Sequence, residues 1–211
     1  MKLYEIYTSI QGETQYAGLP CTLVRFAACD LRCTYCDTEY AFTGGQDVSR
    51  ESIVEDVVAR GVKLVLLTGG EPLLQSELPQ LAAELLERGF EVMVETGGHR
   101  DVTKMPPGTV LIVDLKTPGS GESHKMRWEN LAHLGPRDAV KIVITSESDY
   151  AWARAKIAEH ALESRCQVLL SPSFGQVAAK DLTAWMLRDG LRARLNLQLH
   201  KYVWPPEQRG V

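Results

Sequence analysis

Short apolar runs alternate with segments of helical spacing along most of this chain, and nearly every run ends in polar residues. Residues 21–27 are the first run, continuous enough in Leu, Val and Phe for a strand covered on both faces. A helix is expected from a Ser49 cap to Arg60, with Gly61 able to take the left-handed conformation that closes a helix. Residues 63–67 form the next strand. A second helix follows over about 77–88, with Pro79 in its first turn and Gly89 as its stop. Further strands are expected near 90–95, 110–114, 139–144, 167–170 and 194–199. Helices are expected over 149–163, after a Ser148 cap, and over 178–188. Residues 120–133 follow neither period and read as a loop and then a short helix. Alternation of this kind implies parallel strands joined by right-handed crossovers, hence an α/β sheet or barrel. No repeat, low-complexity tract or linker interrupts it, so residues 1–211 are expected to be one domain.

The polar residues after the strands are Thr68 to Glu71, Glu95 and Thr96, Asp114 to Lys116, Ser171 to Ser173, and His200. In parallel α/β folds the C-terminal strand ends form the rim where ligands bind. Any α/β protein carries polar residues there, so the pattern locates a site without identifying it. Composition narrows the classes: 45% hydrophobic and 24% charged residues are ordinary for a globular protein. No apolar run approaches the roughly 20 residues of a membrane span. The first ten residues mix charges and aromatics, unlike a signal or transit peptide, so the expected compartment is the cytoplasm. A net charge of −4 counts against nucleic-acid backbone binding and leaves small molecules as partners.

Cysteine changes the picture. There are five, an odd number, and Cys29, Cys33 and Cys36 lie within eight positions at C-x3-C-x2-C spacing. In a reducing compartment such a group binds metal or does chemistry rather than forming disulfides. Three thiolates on one loop can each hold one iron of a [4Fe–4S] cube, whose usual complement is four. The fourth iron then stays open to a chelating small molecule, as catalytic zinc keeps a position free. S-adenosylmethionine offers an amino and a carboxylate group for that position, and an electron from the cluster can split its sulfonium bond to an adenosyl radical. Two alternatives stand beside this. A structural zinc site in a binding module would recruit Cys21, His99 or His200, although only one C-x2-C knuckle is present. A four-cysteine electron-transfer cluster would need Cys21 or Cys166, but both open apolar strands, where small core residues are expected.

The spacing, with Tyr35 just before the last cysteine, resembles the radical S-adenosylmethionine superfamily. That resemblance implies a partial (β/α) barrel with the cluster at the C-terminal rim of the strands, and Tyr35 near the adenine. Gly69-Gly70-Glu71 resembles the glycine-rich motif after the superfamily's second strand. Narrower motifs are Ser9 to Thr14 (SIQGET), Arg25 to Leu31 (RFAACDL), Cys36-Asp37-Thr38, Thr68 to Pro72 (TGGEP), Glu95-Thr96 and His200-Lys201-Tyr202. From about Glu5 to Pro206 these are similar to the 7-carboxy-7-deazaguanine synthase family of the deazapurine (queuosine) pathway. Its members convert 6-carboxy-5,6,7,8-tetrahydropterin to 7-carboxy-7-deazaguanine with loss of ammonia, using S-adenosylmethionine catalytically and requiring Mg2+.

Matched motif by motif, the resemblance implies Thr38 as the magnesium ligand. It implies Ile10, Gln11, Gly12, Arg25, Thr68, His200 and Pro206 as substrate contacts. Tyr35, Gly70, Asp114, Leu115, Lys116 and Ser171, Pro172, Ser173 and Phe174 would hold S-adenosylmethionine, with Glu71 and Glu95 nearby. It also implies a homodimer and an electron donor such as flavodoxin or ferredoxin. On the residues alone, Arg25 could instead pair with Glu13 or Asp30, and Thr38 could bond its own turn. The chain departs from the family at Ser171-Pro172, where Gln-Pro is frequent, at Gly97, where asparagine is common, and in continuing past Pro206. A glycyl-radical-enzyme activase shares the cysteine motif and small size but has no need of Gln11, Arg25 and Thr38 together.

Overall fold

The computed structural model describes residues 1–211. Nine strands form one sheet: β1 (Lys2–Ile10), β2 (Pro20–Phe26), β3 (Gln46–Asp47), β4 (Leu64–Gly69), β5 (Glu91–Thr96), β6 (Val110–Asp114), β7 (Ala139–Ile144), β8 (Gln167–Pro172) and β9 (Arg194–Leu195). Their order is β3-β1-β2-β4-β5-β6-β7-β8-β9. From β2 to β9 every pairing is parallel, and β1 runs antiparallel to both β2 and β3. The two edges, β3 and β9, do not meet, so the barrel is partial, as expected. The helices are α1 (Arg50–Arg60), α2 (Leu78–Glu87), α3 (Glu147–Glu159), α4 (Ala179–Asp189) and the short α5 (His200–Val203). No helix is long and apolar enough to cross a membrane.

The two faces of the sheet explain where the site lies. One face, with the helices, buries a cluster of 33 residues that includes Val24, Phe26, Val65, Leu67, Val92, Val94, Val140 and Ile142. Alternate residues of the same strands point inward, and there the chemistry changes along each strand. The N-terminal halves carry a small dry cluster of Cys21, Leu23, Leu64, Leu66, Met93, Val110, Ile112, Ala139 and Leu169. Two residues further along, at the same parity, stand Arg25, Thr68, Glu95, Asp114, Lys141 and Ser171, all bordering one cavity. Cys166 is likewise buried, as expected of a core residue.

The helix expected from Ser49 is there: the Ser49 side chain accepts from the Ser52 amide at 3.1 Å, and Gly61 is left-handed at φ 71°. Elsewhere the expectations need correcting. β1 was not anticipated. Its Tyr, Ile and Thr residues favour a strand, but charged and polar residues break its alternation, and pairing with β2 reveals it. The cap of α3 is Ser146, not Ser148, because the Ser146 hydroxyl accepts from the Asp149 amide. That helix stops at Glu159, before a 3-10 turn at Leu162–Ser164. The segment 120–133 is loop followed by a short helix, as expected, the helix being of the 3-10 kind at Trp128–His133. The last strand is only Arg194–Leu195, and His200 opens α5 instead of ending a strand.

Candidate active site

The cavity at the C-terminal ends of β2 and β4 to β8 measures about 680 Å³, inside the roughly 300–1,000 Å³ of small-molecule sites. Its wall begins with the cysteine loop. Cys29, Cys33 and Cys36 are free, half-buried thiols that border it, whereas Cys21 and Cys166 lie in the core. Burial pushes Cys21 up to about 12 and Cys166 up to about 11, as inert core thiols should be. Burial also pushes Cys33 up to about 11 against the pull of the Lys116 ammonium, so a metal cation is what would hold it as a thiolate.

The loop is pinned from both sides. The Gly70 amide donates to the Phe26 carbonyl at 2.9 Å and the Glu71 amide to the Ala28 carbonyl at 2.8 Å. A Cβ on Gly70 would lie 2.2 Å from the Ala28 carbonyl oxygen and 2.9 Å from Cys29 Cβ, so this approach admits only glycine. On the far side the Arg32 amide donates to Glu122 Oε1 at 3.0 Å and the Thr34 amide to the Ser120 carbonyl at 3.1 Å. Ala28, immediately before the first cysteine, sits at φ 78°, a conformation that costs about 1 kcal/mol or more outside glycine.

Glu71 is fully buried and stays out of the cavity. Its carboxylate accepts from Thr96 Oγ1 at 2.8 Å, the Leu73 amide at 3.0 Å and the Gly97 amide at 2.8 Å. It therefore ties the glycine turn to the end of β5. Gly97, where the family often has asparagine, has a physical reason here: a Cβ would lie 2.6 Å from Leu31 Cδ1. His99 Nε2 is engaged by Asp30 Oδ1 at 2.7 Å and Cys21 is buried in the dry cluster, so neither is free to complete a zinc site. Nowhere do three Cys, His, Asp or Glu side chains converge on one point, as a single ion asks. A cube asks for wider spacing, because each thiolate takes a different iron.

Every side chain expected at the site borders the cavity except Leu115, which is 1% exposed and packs in the main core. At that position only the backbone can serve a ligand. Several buried polar atoms in the cavity have no partner within the chain: Tyr35 Oη, Gln11 Nε2 and Asp114 Oδ1. Unpaired buried polar groups cost about 1–3 kcal/mol each, so these atoms fit a site that ligands complete. Tyr35 and Asp114 flank Lys116, whose ammonium lies 2.8 Å from Asp114 Oδ2 and 5.7 Å from the Tyr35 ring centre. The Gln11 side-chain oxygen accepts from the Glu13 amide at 3.0 Å, which leaves its amide group free to donate.

Arg25 is not paired with Glu13 or Asp30. Its Nε donates to Glu5 Oε1 at 2.7 Å and its Nη2 to the Tyr7 hydroxyl at 3.3 Å, because Glu5 faces Arg25 across the β1–β2 ladder. Thr38 makes no turn bond through its side chain; its hydroxyl donates to Asp37 Oδ1 at 2.9 Å. Burial opposes ionisation of Asp37, but Lys201, Gln198, Lys141 and Thr38 outweigh it and hold the carboxyl at about 2. Hard oxygen donors at Thr38 and Asp37 fit a magnesium ion. His200 lies against Gly12, where a Cβ would fall 2.1 Å from His200 Nδ1, and burial lowers its basicity.

One site residue, Lys141, is not expected from the sequence. Lys141 Nζ lies 2.5 Å from Glu13 Oε2 and 2.7 Å from Glu95 Oε1, on the inner face of β7. Burial would lower Lys141, but Glu13, Glu95 and Asp114 outweigh it and keep the ammonium charged. Glu95 is pushed up, mainly by burial. The available signal was a lysine alternating with Ala139 and Val143 in an otherwise apolar strand.

A loop of three free cysteines at cluster spacing, set against a glycine turn at the mouth of a partial barrel, defines a radical S-adenosylmethionine enzyme. The pattern of the radical SAM superfamily matches residues 23–112. The chain is 44% identical to the 7-carboxy-7-deazaguanine synthase of Koribacter versatilis, over 100% of both chains. It is also 44% identical to that of Chlorobaculum tepidum, over 100% of this chain and 97% of the relative. The chain belongs to the 7-carboxy-7-deazaguanine synthase family. Its fold matches the crystal structure of QueE from Escherichia coli with a TM-score of 0.76, at 20% identity, covering 93% of this chain and 92% of the other.

Proposed function

We propose that this chain converts 6-carboxy-5,6,7,8-tetrahydropterin to 7-carboxy-7-deazaguanine with loss of ammonia, as a radical lyase of 7-deazapurine (queuosine) biosynthesis. The observation that carries the reading is the lining of one cavity, which brings the three cysteine thiols and the Gly70 turn together with Gln11, Arg25, Thr38, Thr68 and His200. Cys29, Cys33 and Cys36 would hold a [4Fe–4S] cluster, which with S-adenosylmethionine would supply the radical chemistry.

The protein's part is binding and orientation. Tyr35, Gly70, Asp114, the Leu115 backbone, Lys116 and Ser171 to Phe174 would hold S-adenosylmethionine. Ile10, Gln11, Gly12, Arg25, Thr68, His200 and Pro206 would hold the pterin. The free Gln11 amide would donate to a ring acceptor, and Arg25, with Nη1 left over from its bonds to Glu5 and Tyr7, would meet a carboxylate. Thr38 would carry Mg2+, whose remaining positions suit waters and a substrate carboxylate. Lys141 holds Glu13 and Glu95 in place in the cavity lining. We further propose that residues 1–211 act as one domain in the cytoplasm, as a homodimer, reduced by a flavodoxin- or ferredoxin-type donor. Five free cysteines support a reducing compartment.

Anaerobic incubation with S-adenosylmethionine, reductant, Mg2+ and the carboxypterin, read by mass spectrometry, tests the reaction. Deazaguanine product without any added protein partner is expected, which also excludes an activase. Cleavage of S-adenosylmethionine with no pterin consumed would overturn the substrate assignment.

A further inference from the structure

Residues past Pro206 run along the cavity rather than away from it. The path is set by α5 and the segment before it. The Leu199 amide donates to the Gly12 carbonyl at 2.7 Å, and Gln198 Nε2 donates to Asp37 Oδ2 at 2.7 Å and to Glu13 Oε1 at 3.1 Å. A turn then follows, with the Gln208 amide bonded to the Pro205 carbonyl at 2.9 Å, and Arg209 comes to rest on Tyr40. Its guanidinium carbon lies 4.0 Å from the ring centre, within the range of a cation–π contact.

Tyr40 has a second cation at its ring. The Arg25 guanidinium carbon lies 5.9 Å from the same centre. One carboxylate, Glu5, serves this corner, and it is already shared between Arg25 Nε at 2.7 Å and the Tyr40 hydroxyl at 3.2 Å. Glu39 and Glu207 border the cavity but pair with neither guanidinium. Arg209 thus meets the Tyr40 ring with no hydrogen-bond or carboxylate partner on its planar fork of donors, and it lines the same cavity as Arg25 and Thr38. A guanidinium held near an aromatic ring with its donors unpaired can receive a planar anion.

We propose that Arg209 is a specificity-determining residue: with Arg25 it forms a two-guanidinium clamp, built on Tyr40, for the substrate's carboxylate. The inference rests on the pterin reading above. It makes the segment 205–211 part of the substrate site and assigns it the recognition of charge rather than of the ring. Arg209 is exposed, so solvent tempers its contribution, and the effect of losing it is about three- to tenfold in affinity.

The test uses the reconstituted holoenzyme with Mg2+ and two fluorescent oxidised probes, 6-carboxypterin and pterin lacking the carboxylate. Arg209→Ala should weaken 6-carboxypterin by about three- to tenfold and leave pterin unchanged, with iron content and S-adenosylmethionine affinity as in the parent. Arg209→Lys, which keeps the charge and loses the fork, should fall between. Equal weakening of both probes would make Arg209 a packing residue, and an unchanged 6-carboxypterin affinity would remove it from the site; either overturns the clamp. A parent enzyme that binds neither probe would overturn the pterin reading itself, a result distinct from both.

Discussion

Lys141 offers the sharpest test of how this cavity is held together. Its side chain is about 9% exposed, and its ammonium sits between Glu13 and Glu95, whose side chains are 14% and 20% exposed. Replacing it with methionine keeps the stem and its packing but strands two buried carboxylates. Breaking a buried ion pair from one side costs about 3–5 kcal/mol, because the remaining charge keeps its desolvation penalty. At roughly 2–4 °C per kcal/mol for a chain of this size, the Tm should fall by about 6–20 °C. The sign of the pH dependence follows from linkage. Lys141 is raised in the fold, so its own contribution is intact at neutral pH and is lost only above the usual lysine range. In Lys141→Met the raised Glu95 dominates. A carboxyl whose folded pKa exceeds its unfolded value binds more protons when folded, so stability falls as pH rises between the two. The variant should therefore lose more at pH 8 than at pH 5.5, and Glu95→Gln added to it should recover part of the loss. The assay is thermal unfolding of cluster-free protein under argon at both pH values. A loss under about 1 kcal/mol, or one equal at the two pH values, would refute the electrostatic account of this triad.

Cys29→Ala, Cys33→Ala and Cys36→Ala should each abolish cluster binding, while Cys21→Ala and Cys166→Ala keep it; iron and sulfide content after reconstitution decides, and near-full occupancy in the Cys33 variant would sink the assignment. Thr38→Ala should raise the Mg2+ concentration needed for turnover with the cluster spectrum unchanged, and an identical Mg2+ titration would return Thr38 to a mere partner of Asp37. Gly12→Ala places a methyl 2.1 Å from His200 Nδ1, so either the ring or the loop must move. Product formation should drop by about a hundredfold, the usual cost of a small misplacement, while slow substrate-independent cleavage of S-adenosylmethionine persists; unchanged product formation would show that His200 has room to turn aside.

The cysteine loop, the Gly-Gly-Glu turn and the strand–helix alternation were legible in the sequence, because each is a local signal. Spacing along a loop decides which thiols can share a cluster, and apolar period decides which segments are strands. The corrections share the opposite character. β1 is a strand because β2 and β3 give its backbone partners, and nothing within residues 2–10 announces them. Ser146 rather than Ser148 caps α3 because of where the preceding strand ends. Arg25 chose Glu5 because antiparallel register sets them face to face, a distance in sequence of twenty positions that pattern alone does not bridge. Leu115 turned into the core because strand parity, continued past Asp114, sends alternate side chains to opposite faces. Lys141 is the clearest case. A lysine in an apolar strand is locally anomalous, yet its meaning needs Glu13 from the first loop and Glu95 from β5 beside it. The sequence by itself determined the cofactor chemistry and the class of fold. Which charges meet in the cavity was decided only when the sheet curled and brought six strand ends around one space, because Coulomb and hydrogen-bond energies depend on separation in space and not along the chain.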